Sequence, residues 1–532
     1  MIARQSVRTC KRQWKRTYAS ISPPRFGQPD PVSHPHLFGS PDELTPGITR
    51  DEFHQRRKKL MDSLPDGSTV VLRAGSVKYM SGNIFYRFRQ ASDFWYLTGF
   101  EEPDSVVVLE KKQSPKGYHM TFFSSPRDAH KELWEGPITG QEGAVKHFGA
   151  DDALEIGSLT RQLPNLISAS SHVYADIHNA SSLSAAQSSR KSLMGLLDPV
   201  FTHRPIHTVS NTPSERLSFE VDSILLRLAE RKRKNLGKEV ATLRRVKSPA
   251  ERRLMKGAAK RSARAHTLTM QYAQPGMSEA ELESWFQHKC AQSCDVGDGL
   301  NGGCQRLAYV PVVASGRNAL TIHHTSNDQQ IREGELVLID AGGEWNGYAS
   351  DITRTFPVSG TFTAAQKVLY QAVLNVQKKC ISILCTGSPH PTSVSTPLNG
   401  GEAAKMTLPA LHRMSTKFLA DELTSLGFKL DPYGREVEER LYPHLVGHGV
   451  GIDLHESSGM RNDELVEGQV VTVEPGVYVP ADKRYPEEFH NIGIRIEDEV
   501  LIEKDHGVVL SVDAPKEIED IEAVCQGKIQ LR

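Results

Sequence analysis

No apolar run in this chain approaches the roughly 18–20 residues a membrane-spanning helix needs. Charge of one sign is also missing: 64 Lys and Arg balance 64 Asp and Glu. A zero formal charge gives no electrostatic support to a general nucleic-acid or membrane-surface role. Cysteine is sparse, seven in 532 residues and an odd number, so a disulfide framework is not expected. Cys290, Cys294 and Cys304 cluster loosely, but a structural zinc site needs a fourth ligand and tighter pairs. Free thiols in a reducing compartment fit better. Acids are absent from one place, the first 29 residues, where Arg4, Arg8, Lys11, Arg12, Lys15, Arg16 and Arg25 precede Asp30. On a helix Ala3, Val7, Cys10, Trp14 and Tyr18 form an apolar stripe beside the basic face. A basic, acid-free, amphipathic start predicts a mitochondrial presequence.

What the chain does have is a set of strand-terminal acids between glycine-rich turns. Leu336–Ile339 is a short apolar run ending in Asp340, with Gly342 and Gly343 after it. The chain resumes at Tyr348 and passes through Asp351, Thr353 and Thr355, which alternation puts on one face. A hairpin here can bring Asp340 and Asp351 together, and a divalent cation would relieve their repulsion. Further on, His448-Gly449-Val450-Gly451-Ile452-Asp453-Leu454-His455-Glu456 combines two histidines with glycines suited to a close ligand approach. Val470–Val473 is a β-branched run ending in Glu474, Pro475 and Gly476. In Gly493–Glu499, Arg495 and Glu497 share a face. Asp340, Asp351, His448, Glu474 and Glu497 together suit a pair of hard or borderline divalent cations.

In order and context these five residues match the metal ligands of the pita-bread metallopeptidases, and the chain resembles their aminopeptidase P branch. It is most similar to the mitochondrial intermediate cleaving peptidases, from about residue 36 to the C-terminus. The resemblance implies two divalent ions, usually manganese, bridged by Asp351 and Glu497, with Asp340 on one ion and His448 and Glu474 on the other. Two such ions generate a nucleophile from water near neutral pH. His323 matches the histidine that holds substrate near the metals, and His455 the one that contacts the scissile peptide. His444 matches a lining of the pocket for the second residue. Tyr309 and Arg495 match a network that orients the ligands. His324, next to His323, is expected to face elsewhere.

The implied reaction is hydrolysis of the first peptide bond of a polypeptide. Intermediate cleaving members remove one bulky residue from processed mitochondrial precursors, in the matrix or at the inner membrane. General Xaa-Pro aminopeptidases require proline second, prolidases take dipeptides, and non-catalytic members have lost metal ligands that are all present here. Arg16-Thr17-Tyr18-Ala19-Ser20 resembles a two-step presequence site cut after Thr17 and then Tyr18, so the protein is a candidate substrate of its own activity. Relatives also favour a homodimer.

A chain of this length needs at least two domains. The expected fold is an α/β N-terminal domain followed by an α+β pita-bread catalytic domain. Residues 1–35 read as presequence and Pro-rich linker, 36–235 as the N-terminal domain and 236–532 as the catalytic domain. Ser92–Gly99, containing Trp95 and Tyr96, matches the N-terminal domain of aminopeptidase P; core packing explains the two aromatics at least as well as substrate contact. Ser248 and Pro249 start a charged helix over 250–270, expected as a solvated outer face. Residues 386–404, rich in Gly, Pro and Ser, read as an insertion without chemistry.

Overall fold

The computed structural model describes residues 23, 25–176, 213–293, 302–384, 406–431, 435–456 and 458–529. The presequence, the Arg16–Ser20 site, Cys294 and the 386–404 insertion lie outside the described residues. Among those described, no helix is long and apolar enough to cross a membrane.

The N-terminal region is built on a six-stranded mixed sheet. Its order is Arg233–Asn235, His172–Ala175, Ser68–Arg73, Val106–Lys111, Tyr118–Ser124 and Asp152–Glu155. Ser68–Arg73 pairs parallel with His172–Ala175 and antiparallel with Val106–Lys111, so both hairpin and crossover connections are present. Side-chain alternation then divides two apolar layers. Val71, Val106, Val108 and Phe123 pack with Leu159, Leu163, Ile167 and Val221 of the helices Leu159–Ser168 and Pro213–Leu226. Val70, Leu72, Val107, Leu109 and Phe122 face the helices Arg50–Ser63 and Ser92–Thr98, in a core continuous with the C-terminal half. Trp95 and Tyr96 belong to that core, 5% and 4% exposed, with Trp95 edge-on to Tyr348 at 5.9 Å between ring centroids. Core packing therefore accounts for both aromatics.

The C-terminal half has antiparallel strands inside and helices outside. Leu336–Asp340 is the centre of one sheet, flanked by Val312–Ser315 and Thr353–Pro357, with Asp340 opposite Thr353. Val470–Val473 pairs with Asp498–Ile502, and Gly476–Val479 with Ile492–Arg495. Helices Ala364–Ser382, Glu279–Ala291 and Ile518–Cys525 pack on these strands.

The helix expected to be solvated runs Pro249–Tyr272 and is instead mostly buried. Its start is as predicted, with Pro249 in the first turn and a reciprocal Ser248–Glu251 capping box. Its basic residues suggested water, but Ala258, Ala259, Ser262, Ala263 and Ala265 let strands approach closely. Arg261 reaches 3.6 Å from the centre of the Trp345 ring, so its charge is accommodated in the core by a cation–π contact. Cys290 and Cys304 are buried, and the sulfurs of both lie against Gly343.

Candidate metal centre

Four chain segments bring the five predicted residues together through main-chain hydrogen bonds. Glu497 N donates to Thr353 O (3.1 Å), fastening the Glu497 segment to the strand opposite Asp340. Ile496 N donates to Pro475 O (3.3 Å), and Thr472 N to His448 O (2.9 Å). Glu474 N donates to Val446 O (2.8 Å). The glycines on both sides of His448 serve this stitching rather than a ligand, contrary to expectation. A Cβ on Gly447 would sit 2.0 Å from Thr472 O, and one on Gly451 within 2.4 Å of the Glu456 carboxylate. What approaches so closely is neighbouring protein.

The predicted faces hold. Thr353 Oγ1 donates to Glu497 Oε2 (2.6 Å) and lies 3.2 Å from Arg495 Nε, while Thr355 Oγ1 donates to Arg495 O (3.0 Å). Arg354 points the other way, buried against Asp498 at 2.7 Å. Tyr309 Oη lies 2.5 Å from Asp340 Oδ1 and 2.6 Å from Asp351 Oδ1. Arg495 donates to Asp340 Oδ2 (2.7 Å) and to Tyr478 Oη (2.8 Å). His448 Nε2 is 3.3 Å from Asp351 Oδ2 and 3.5 Å from Glu474 Oε1, and its Nδ1 lies 3.1 Å from Gly449 O. Donor atoms of Asp351, His448 and Glu497 all fall within 4.8 Å of one another.

Electrostatics show what such a cluster demands. Burial and the charges of Asp351, Glu474 and Asp340 push the Glu497 carboxyl well above its usual range. Burial likewise raises Glu474, to about 7, against the pull of His448. Burial also raises Asp340 despite Arg495. Asp351 is held low: burial works against it, but its hydrogen bond to His448 prevails. Burial opposes the His448 imidazolium, yet Asp351 and Glu474 outweigh it and raise the group to about 9. Four carboxylates converging on one imidazole are the donor set that two divalent cations fit.

These residues line a cavity of about 490 Å³ that also includes Tyr309, His323, His444, His455 and Arg495. Every sequence-predicted site residue is therefore in one place. His444 Nε2 lies 2.8 Å from Tyr478 Oη, and burial lowers its pKa to about 3, so it is neutral at physiological pH. The His455 ring stacks edge-on to His448 at 4.3 Å. His323 lines the cavity on a turn rather than a strand. His324 leaves it, as expected, to meet Glu279 Oε2 at 3.0 Å. Glu279, His324 and Asp328 form a second cluster of possible ligands. Glu279 Oε1 already accepts from Ser315 N, Ser315 Oγ and Asn318, and Oε2 from Gln329 N, so this carboxylate anchors the turn carrying His323.

Sequence reasoning missed Thr472, whose hydroxyl accepts from His448 N (3.0 Å) and donates to Glu474 Oε1 (3.2 Å). Its position two residues before Glu474 on a strand was the available signal. Tyr478, joining His444 to Arg495, was missed for lack of any local pattern.

Residues 253–504 match the metallopeptidase family M24, and residues 53–174 the aminopeptidase P N-terminal domain. The chain is 36% identical to intermediate cleaving peptidase 55 of Saccharomyces cerevisiae over 96% of its own length and 90% of that protein. It is 35% identical to Xaa-Pro aminopeptidase 3 of Rattus norvegicus, covering 94% and 90% of the two chains. A crystal structure of the Saccharomyces cerevisiae peptidase, lacking 58 N-terminal residues, superposes with a TM-score of 0.74 at 33% identity, over 92% of this chain and all of that one. With likeness across nearly its whole length, the chain belongs to metallopeptidase family M24, as a metalloaminopeptidase with an aminopeptidase P-type N-terminal domain and a pita-bread catalytic domain.

Proposed function

We propose that the protein removes a single bulky N-terminal residue from presequence-cleaved mitochondrial proteins, with residues 36–235 as its N-terminal domain and 236–532 as its catalytic domain. Asp340, Asp351, His448, Glu474 and Glu497 hold two divalent ions in this reading, manganese being favoured because the donors are mostly carboxylate. When bound, the ions supply Lewis acidity and an activated water at neutral pH.

The chain's own groups do the rest. Tyr309 and Arg495 fix the Asp340 carboxylate, and Thr472 fixes Glu474 and the His448 main chain, which sets ligand orientation before substrate arrives. His323 holds the peptide near the metals, and His455 steadies charge that develops on the scissile carbonyl. Neutral His444, tied to Tyr478, lines the pocket for the second residue. The observation that carries the reading is convergence of all five ligand-type residues at a cavity with an apolar wall of Val310, Val312, Ile322, Leu408, Leu445 and Leu454, beside polar Arg245, Arg461 and Gln469. Such an apolar wall suits a large hydrophobic side chain.

The basic, acid-free N-terminal stretch supports a mitochondrial destination, and the assembly proposed is a homodimer. The rat relative's name favours a second reading, cleavage before proline. Peptides beginning Tyr, Leu or Phe, their Xaa-Pro counterparts and Xaa-Pro dipeptides decide among these activities. Preference for Xaa-Pro peptides overturns bulky-residue removal, and restriction to dipeptides makes the protein prolidase-like. Metal analysis with Asp351→Ala tests the centre: retained peptide trimming by the variant eliminates the assigned chemistry.

A further inference from the structure

The segment from His448 to Glu456 is held at its two ends by different parts of the molecule. Its first half lies along Val470–Val473, through Thr472 N to His448 O (2.9 Å) and Val450 N to Val470 O (3.1 Å). Its second half is tied to residues around the Ser92–Thr98 helix. Arg89 Nη2 donates to Ile452 O (2.7 Å), and Ser92 Oγ to Asp453 Oδ1 (2.5 Å). Arg244 stands between the two regions. Its Nη1 donates to Asp93 Oδ1 (2.6 Å), and its Nη2 to Asp453 Oδ2 (2.6 Å) and Glu456 Oε1 (2.8 Å). Lys247 Nζ takes the other Glu456 oxygen.

Glu456 is buried while its neighbour His455 is exposed to the cavity. The His455 ring makes no hydrogen bond among the described residues, and its ring contact is with His448. The backbone that carries this imidazole is fixed on either side of it, at Asp453 and Glu456. Arg244, whose side chain is 7% exposed, joins both of these to Asp93. Its planar fork can address three carboxylates at once, which the single ammonium of lysine cannot do in the same geometry.

We propose that Arg244 is a positioning residue through which Asp93 of the N-terminal region sets the place of His455. The N-terminal domain is then part of the catalytic apparatus. The inference rests on the reading of His455 as a substrate contact.

Asp93→Ala tests it, because that side chain is 25% exposed and its removal leaves Arg244 two carboxylates. Small misplacement of a positioned group is costly, so kcat is expected to fall about tenfold with KM little changed. Metal content and melting temperature stay as in the parent. Asp93→Asn, which keeps an acceptor oxygen for Arg244, restores most of the rate. In a His455→Ala background the Asp93→Ala penalty vanishes, as coupling through that imidazole requires. Ser92→Ala, which deletes the hydroxyl that donates to Asp453 and accepts from Arg89, runs the same cycle with a smaller loss and serves if Asp93→Ala folds poorly. An Asp93→Ala penalty that persists undiminished without His455 overturns the positioning role and leaves the site reading intact. Full activity in His455→Ala alone overturns both.

Discussion

The hydroxyl of Tyr309 lies between Asp340 and Asp351, 2.5 Å from one carboxylate and 2.6 Å from the other. A phenol has one proton and can donate to one partner at a time. The pair therefore shares a single donor while Arg495 takes the far oxygen of Asp340 and His448 that of Asp351. Both acids are thus aimed before a cation arrives. Tyr309→Phe removes that restraint without removing a ligand. Its affinity for divalent ions is expected to fall about 10–100-fold, with an unchanged melting temperature for the metal-free protein. Titration calorimetry with Mn²⁺ measures it, and parental affinity in the variant refutes the role.

A second expectation follows from His448. Burial opposes its charge, but Asp351 and Glu474 raise its pKa to about 9, so the metal-free protein carries a proton there at pH 7. A metal-ligating imidazole must give that proton up. Adding Mn²⁺ to the metal-free protein at pH 7 in weak buffer should release at least about one proton per chain, and affinity should climb as pH rises toward 9. The sign for folding is opposite. A raised imidazole pKa stabilises the metal-free fold below about pH 6.5, and that contribution is lost as pH rises through 9. No proton release would exclude His448 as a ligand.

Gly447→Ala tests the backbone stitching. The added methyl would meet Thr472 O at 2.0 Å, and neither side of that contact is a flexible side chain. Relief requires the 446–450 segment to part from Val470–Val473, which carries His448 away from Glu474. Overpacking of this kind costs on the order of 1–3 kcal/mol. Activity should drop more than stability, and a substitution neutral in both peptide trimming and denaturant midpoint would show that the close approach does not matter.

How much of this was legible varies with sequence distance. Asp340, Glu474 and their neighbours were readable because one ends an apolar run and the other a β-branched run, and strand period 2 fixes which residues share a face. The partners Thr353 and Arg495 were readable for the same reason. The roles of the glycines were not, since sequence shows that a Cβ is missing but not what occupies its place. Arg244 with Asp93, Asp453 and Glu456 was invisible: its partners lie 151 to 212 positions away, and no periodicity links them. The Pro249–Tyr272 helix was misread because Arg252, Arg253, Lys256, Lys260 and Arg264 dominate its composition, while the small residues between them decide its packing.

That same helix supplies the last prediction. His266 is 1% exposed, lies 2.9 Å through Nε2 from Ala341 O, and has its pKa lowered to about 3, chiefly by burial. Unfolded, the imidazole titrates near 6.5. Between those values the unfolded chain binds a proton that the folded one refuses, so stability rises with pH there. Its contribution is complete above about 6.5 and is lost as pH falls toward 3. From pH 7 to 5 the linkage amounts to about 2 kcal/mol for one histidine. His147, lowered to about 4, and His444, lowered to about 3, act in the same direction, while the raised Glu474, Glu497 and His448 act against it, so the comparison between parent and variant, not the parent's total, reports on His266. His266→Gln keeps a donor for Ala341 O and cannot titrate. Urea denaturation of parent and variant at pH 7 and pH 5 isolates the term: the parent should lose about 2 kcal/mol more than the variant. Equal losses would mean that His266 does not stay neutral in the fold.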